Sequence, residues 1–340
     1  MSSTTLSSRK GSSTVMVYPA NGYMGYMICK DLMHGDNMGH VKEVLAICCG
    51  EGGMYDKLKE MGKPIKAIVM HDADKMSDWK KHIKDRHCDV MMLCCEGAPH
   101  HHKVGMTRED EKAQVMKFGK SLECAMEMTR HMRCKGVAVS TAFCADDARY
   151  KMWHYLLKCI EKAGKKHFNG ECAVLHHNMM FEALYLNRQE IMQDGTMSWP
   201  VSEDAKMCPM SLCDFACCCV DVMCKMMKGG NKAMAHGHKE YHLTGRDMMT
   251  PADMIDMMSD SMNMEISYNE VDRKEWKRMM NDMQMLSPMQ IGLCEEMFKM
   301  MEDGCLKKCT EECKKLTGTK PMEFGNWIKE HRDKFQNGRL

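Results

Sequence analysis

Excess charge of one sign, aromatic rings and long apolar runs are all scarce in this chain of 340 residues. Lys plus Arg number 48 against 47 for Asp plus Glu, so the formal charge is +1. Without a net field to steer it onto polyanions, the chain is not read as a nucleic-acid or anionic-membrane binder. No uninterrupted apolar run reaches the roughly 18 residues a membrane helix needs. Even residues 215–227 are broken by Asp221 and Lys225, so no membrane partner is expected and the chain reads as soluble. Residues 1–12 lack the apolar core of a secretory signal and are read as a disordered tail. Aromatics make up 6%, whereas Met (44) and Cys (21) are abundant, so thioethers are expected to fill core space. An odd cysteine count with vicinal pairs at Cys48-Cys49 and Cys94-Cys95 fits no secreted disulfide scaffold and points to a reducing, cytoplasmic setting.

What is present is an alternation. Apolar stretches at 14–18, 41–48, 65–70, 89–94 and 136–140 are separated by segments of helical length and spacing, the pattern of βαβ units and a parallel sheet. Thr107 with Asp110 resembles a capping box opening a helix through about Met132. Later strands are expected at 173–175 and 240–243, the last returning to the sheet after a long interruption. The distal third is helical, with Thr250-Pro251-Ala252-Asp253 and Ser287-Pro288-Met289-Gln290 as start signals. Met254, Met257, Met258 and Met262 follow at helical spacing and read as a core stripe. The expected fold class is therefore α/β, a Rossmann-type doubly wound parallel sheet over residues 13–176. A smaller, mostly helical C-terminal domain covers 177–335 and faces a substrate or partner.

Directly after the first strand the chain reads Pro19-Ala20-Asn21-Gly22-Tyr23-Met24-Gly25. A glycine turn leading into a helix is where a dinucleotide fold places phosphate, since free N–H groups and the helix dipole favour an anion. Val17 to Gly25 is similar to V-x-G-A-T-G-x-x-G. His71-Asp72-Ala73-Asp74 is similar to G-D-L-D, residues 175–182 to L-R-P-N-x-x-F-E, and Tyr241-His242-Leu243-Thr244-Gly245 to Y-x-L-T-G. Leu316-Thr317-Gly318-Thr319-Lys320-Pro321 with Phe324 is similar to L-T-G-x-x-P…F. Taken in order, these motifs resemble the NmrA-like family of atypical short-chain dehydrogenase/reductases over about residues 14–335. That resemblance implies a nicotinamide dinucleotide, NADP or NAD, as bound partner. It implies Asn21, Gly22, Tyr23, Met24 and Gly25 at the pyrophosphate, Asp72 and Ala73 at the adenine, Ala98 and Pro99 at the nicotinamide ribose, and Asn178 and Phe181 at the cleft floor.

The departures from the pattern bear on function. Pro19 replaces the first glycine of the turn and removes a backbone donor. After the second strand, where an acid or Arg usually meets the adenosine ribose, the chain reads Ile47-Cys48-Cys49-Gly50-Glu51, with Glu51 and Lys57 as the substitutes within reach. Hydride transfer in the wider superfamily uses a Tyr as proton donor and a Lys four residues on, which also holds the ribose. Here that Lys position falls on Trp153, leaving Tyr150, Lys151 and His154 as improvised catalytic candidates. Ser140, ending a strand, is a candidate to orient a carbonyl. The reading is therefore a nucleotide-responsive regulator or binding protein with weak or no redox activity and a regulatory protein partner. The alternative is an NAD(P)H-dependent reductase of a carbonyl, quinone or isoflavone-like small molecule.

No metal site is expected: His100-His101-His102 reads as a polar loop, and Cys305, Cys309 and Cys313, at helical spacing, as packing. Cys217-Cys218-Cys219 reads as buried helix. No GxSxG, HExxH or P-loop lysine occurs, which removes hydrolase, metalloprotease and NTPase readings.

Overall fold

The computed structural model describes residues 11–34, 39–97, 108–229 and 238–337. The chain opens with β1 (Ser13–Tyr18), α1 (Tyr23–Asp31), β2 (Val41–Cys48), α2 (Tyr55–Glu60), β3 (Ile65–Val69) and α3 (Met76–Ile83). It continues with β4 (Val90–Cys94), α4 (Arg108–His131), β5 (Gly136–Ala142), α5 (Lys151–His167) and β6 (Glu171–His177). The second half carries a 3-10 turn (Phe181–Asn187), α6 (Arg188–Asp194), β7 (Thr196–Trp199), α7 (Leu212–Met227), β8 (His238–Leu243) and α8 (Pro251–Met262). It closes with β9 (Ser267–Glu270), α9 (Arg273–Met283), α10 (Pro288–Glu302), α11 (Glu312–Thr317) and α12 (Phe324–Asn337).

Seven strands form one parallel sheet in the order β3-β2-β1-β4-β5-β6-β8. The runs are apolar on both faces because both faces are covered. Met16, Leu45, Ile47, Met91 and Leu93 point into a layer with Phe118, Leu122, Trp153 and Leu157 of α4 and α5. Val15, Val17, Val44, Val90 and Met92 point the other way, onto Ile28 of α1 and Phe215, Cys219 and Met223 of α7. The fold is thus the expected doubly wound α/β sheet. Strand order reverses between β1 and β4, which opens a crevice at their C-terminal ends.

The capping signals act as written: Thr250 and Ser287 each form a capping box with the residue three on. Met254, Met258 and Met262 are buried and Met257 packs against them. Thr107 lies outside the described residues. Two features differ from the sequence reading. β7 and β9 form a small parallel sheet of their own, four residues each and too short to announce themselves by alternation. Cys208 and Cys309, 101 residues apart, form a disulfide, whereas the reducing-compartment reading offered no pair. Cys305, Cys309 and Cys313 do not share a helical face, because the chain turns through a 3-10 segment and an extended stretch before α11 begins. Among the described residues no helix is long and apolar enough to cross a membrane.

Candidate functional site

The turn between β1 and α1 sits at the crevice. α1 opens at Tyr23 with Gly22 as N-cap, no side chain among the described residues capping it and no acid in its first turn, so its leading N–H groups and positive dipole end are open to a ligand. A Cβ on Gly25 would lie 2.2 Å from the Pro19 carbonyl oxygen and 2.7 Å from Ala20 Cα; only glycine lets the helix approach its own strand here. Pro19 turns its ring toward Gly97, where a Cβ would meet Pro19 Cγ at 2.4 Å, so its side chain fills the seam between the loops after β1 and β4. Asn21 is buried and fully occupied within the protein: its Oδ1 accepts from the Cys49 N–H at 3.0 Å and its Nδ2 donates to the Gly52 carbonyl at 3.2 Å. It fastens the turn to the loop after β2 rather than facing outward. Tyr23 is exposed, and Met24 is buried beneath α1.

Beyond β3, Asp72 pairs with Lys75 at 3.2 Å, and its backbone N–H donates to Asp78. The Ala73 carbonyl accepts from the Trp79 indole N–H at 2.6 Å. Ala73 also lines a cavity of about 30 Å³ with Tyr18, Cys49, His71, Asp74 and Lys117, room for a water or two rather than a ring. Tyr18 fills the remaining space, its ring 4.9 Å from Trp79 and its hydroxyl donating to Ser121 at 2.6 Å. Burial, then the neighbouring Cys49 thiol, pushes the Tyr18 phenol well above its usual range. Ala98, Pro99 and the His100-His101-His102 tract lie outside the described residues.

The three catalytic candidates cluster where α5 begins. Tyr150 is buried, and its hydroxyl donates to Asp303 at 2.8 Å with Cys305 Sγ 3.0 Å away. Burial, then these two partners, drives the phenol far up. Its hydrogen is therefore held at the C-terminal end of α10. Lys151 is exposed, and His154 has a buried Nδ1 without a hydrogen-bond partner among the described residues. Trp153 is buried with its indole N–H on the Leu293 carbonyl at 3.1 Å. The first turn of α5 is closed by Glu296 of α10, which accepts from the N–H groups of Met152 and Trp153 at 3.0 and 3.2 Å. Asn178 is fully buried and braces the second lobe, donating to the Leu306 carbonyl at 3.0 Å. Phe181 packs on Phe324 and Trp327 at ring distances of 5.0 and 5.5 Å.

Residues that no motif singled out as a set meet at the ends of β4, β5 and β6. The Ser140 hydroxyl donates to Glu96 Oε2 at 2.6 Å, and His177 Nε2 lies 2.8 Å from Glu96 Oε1. The signal in the sequence was a polar residue near the C-terminal end of each of three strands, two residues past β4, near the end of β5 and at the end of β6, which is visible only once the strands are known to be neighbours. No group of three His, Cys, Asp or Glu side chains among the described residues is arranged to hold a metal.

This arrangement is a fold shared with solved NADPH-dependent reductases and with NmrA. Among solved structures, the chain is similar to an NADPH-dependent quinone oxidoreductase from Escherichia coli solved with NADPH, at 12% identity and a TM-score of 0.67, over 93% of this chain and 99% of that one. A triphenylmethane reductase from Citrobacter sp., solved with NADP(H), matches at 13% identity and 0.67 over 94% and 99%. NmrA, a negative transcriptional regulator solved with NADP, matches at 12% identity and 0.64 over 97% and 98%. No family model and no curated protein matches the sequence.

Proposed function

We propose that this chain binds a nicotinamide dinucleotide, NADP or NAD, across the C-terminal edge of its sheet. It acts as a nucleotide-responsive regulator or binding protein, with weak or no redox activity and a protein partner on residues 177–335. The observation that carries the reading is Tyr150. Its hydroxyl is spent on Asp303, the residue four on is His154, and the lysine position that the family pattern sets falls on the buried Trp153, which leaves neither a free phenol nor a lysine where the resemblance implies them. The residues present fit the phosphates: an uncapped α1 beginning at Gly22 and Tyr23, with Gly25 permitting close backbone approach, offers donors that Pro19 does not remove. The adenine end is tighter, since the cavity beside Ala73 holds about 30 Å³, so a purine would rest on the rim formed by His71, Asp72 and Ala73. A bound dinucleotide regulates to the extent that it favours one arrangement of the lobes over another. A reductase remains the second reading, and the unpartnered His154 Nδ1 is the observation in its favour.

The test is a thermal-shift titration with NADP(H) and NAD(H), followed by turnover assays with quinone and carbonyl acceptors. Stabilisation growing as RT ln(1 + [L]/Kd) with no steady turnover is the expected result. Turnover at ordinary enzymatic rates would replace the regulator by the reductase, and no shift with any nucleotide would remove both.

A further inference from the structure

The Glu96, Ser140 and His177 cluster has a fixed hydrogen-bond polarity. His177 Nδ1 lies 2.9 Å from the Asn178 carbonyl oxygen, which can only accept, so Nδ1 carries a hydrogen. His177 Nε2 and the Ser140 hydroxyl then grip the two oxygens of Glu96 at 2.8 and 2.6 Å. Whether the hydrogen between Nε2 and Oε1 rests on nitrogen or on oxygen, the single Ser140 hydrogen is committed to Glu96. Ser140 therefore has none to offer a ligand carbonyl, which removes the carbonyl-orienting role open to it on sequence alone.

Glu96 is the open member of the set: 19% of its side chain is exposed against 6% for His177, and Ser140 is fully buried. It stands one residue before Gly97, whose Cα would be 3.3 Å from a Cβ on Gly22, so it adjoins the phosphate turn directly. A carboxyl group held at both oxygens presents its remaining lone pairs in a set direction. It takes neutral hydroxyl donors, the role an acidic residue plays for ribose hydroxyls elsewhere in dinucleotide folds. The position where a ribose-holding lysine would stand is Trp153, and its ring lies 5.8 Å from the His177 ring.

We propose that Glu96, oriented by Ser140 and His177, is the residue that recognises the vicinal hydroxyls of the second, nicotinamide-side ribose, so that this chain reads a sugar diol with a carboxylate instead of an ammonium group. This rests on the dinucleotide reading above. The experiment is calorimetric titration of the full chain and its Glu96→Ala and Glu96→Gln variants with ADP, ADP-ribose and their 2′-phosphorylated forms. ADP has no second ribose, so it reports on the phosphate turn alone. Wild type is expected to bind the ribose-bearing ligands more tightly than the ADP forms. Glu96→Ala loses about tenfold for the ribose-bearing ligands, as for loss of a hydrogen bond to a charged group, with ADP binding unchanged. Glu96→Gln, which keeps an acceptor oxygen and a volume close to that of glutamate, falls between. Equal affinity of Glu96→Ala and wild type for ADP-ribose overturns the proposal, and so does an equal loss for ADP and ADP-ribose, which would mark a structural role. Wild type binding none of the ligands overturns the dinucleotide reading itself, and this proposal with it.

Discussion

Gly22 and Gly25 stand three residues apart on one turn, yet they answer to different constraints. An alanine Cβ at 25 would sit 2.2 Å from a backbone oxygen, whereas at 22 the nearest atom would be 3.3 Å away. Helix propensity alone would reward Gly25→Ala by about 1 kcal/mol, but backbone cannot yield as a side chain does, and overpacking costs about 1–3 kcal/mol or more. Gly25→Ala is therefore expected to lower the Tm and abolish the nucleotide-induced shift, while Gly22→Ala has a much smaller effect; thermal denaturation of the two variants checks the order. Glu182 makes a second case. Burial pushes its carboxyl up to about 7, although it accepts from the Leu212 N–H at 2.9 Å and the Trp327 indole N–H at 3.1 Å. An acid raised in the fold keeps its proton there while the unfolded chain, at the ordinary carboxyl value of 4.5, has ionised. Stability therefore falls as pH rises from about 4.5 to about 7 and stays reduced above that, by roughly 3 kcal/mol. Denaturant midpoints across that window should show this slope in wild type and lack it in Glu182→Gln.

Among elements, α5 shows how the lobes are joined. Its N-cap, Tyr150, supplies no side-chain cap, and the carboxylate closing its first turn comes from α10, where Glu296 accepts from Met152 and Trp153. Burial raises the Glu296 carboxyl, so desolvation offsets part of the gain. Glu296→Ala should still cost about 1–2 kcal/mol, as for loss of an N-terminal cap, against a few tenths for an exposed pair; urea denaturation distinguishes the two. The helix itself was legible in sequence, and its cap was not, because Glu296 lies 143 residues from Trp153. The same division runs through the molecule. The parallel sheet was readable because strands buried on both faces are continuous apolar runs, and α8 and α10 because Thr250 and Ser287 carry their caps locally. The Glu96, Ser140 and His177 cluster was not, because its members are separated by 44 and 81 residues and meet only through strand order. The sequence resemblance implies Asn21 at the pyrophosphate and Asn178 at the cleft floor, whereas tertiary contacts put both side chains on the protein's own backbone.

For the whole molecule, the question is how firmly residues 293–306 are tied to the sheet and whether the ties cross the crevice at its C-terminal edge. Tyr150 with Asp303, Glu296 with α5, and Asn178 with Leu306 all attach residues 293–306 to the ends of β5, β6 and α5. The Cys208–Cys309 disulfide adds a covalent tie at the same border, where the Cys208 N–H donates to the Leu306 carbonyl at 3.0 Å and the Gly245 N–H donates to the Cys208 carbonyl at 3.3 Å. Cys208 is buried and Cys309 exposed. Closing a loop over 101 residues restricts the unfolded chain by up to about 4–5 kcal/mol. Reduction, or the Cys208→Ser, Cys309→Ser pair, is therefore expected to lower the Tm by several degrees. None of these ties touches the turn at 19–25 or the loop at 96–97 directly; the turn is fastened by Asn21 to the loop after β2, and the loop by Pro19 to Gly97 and by Glu96 to Ser140 and His177. The nucleotide-induced increment in Tm should consequently be the same size in oxidised and reduced protein, although both midpoints fall together on reduction. If reduction instead erased the increment, the disulfide would be holding the crevice as well as the lobe, and nucleotide response would depend on the redox state of this pair.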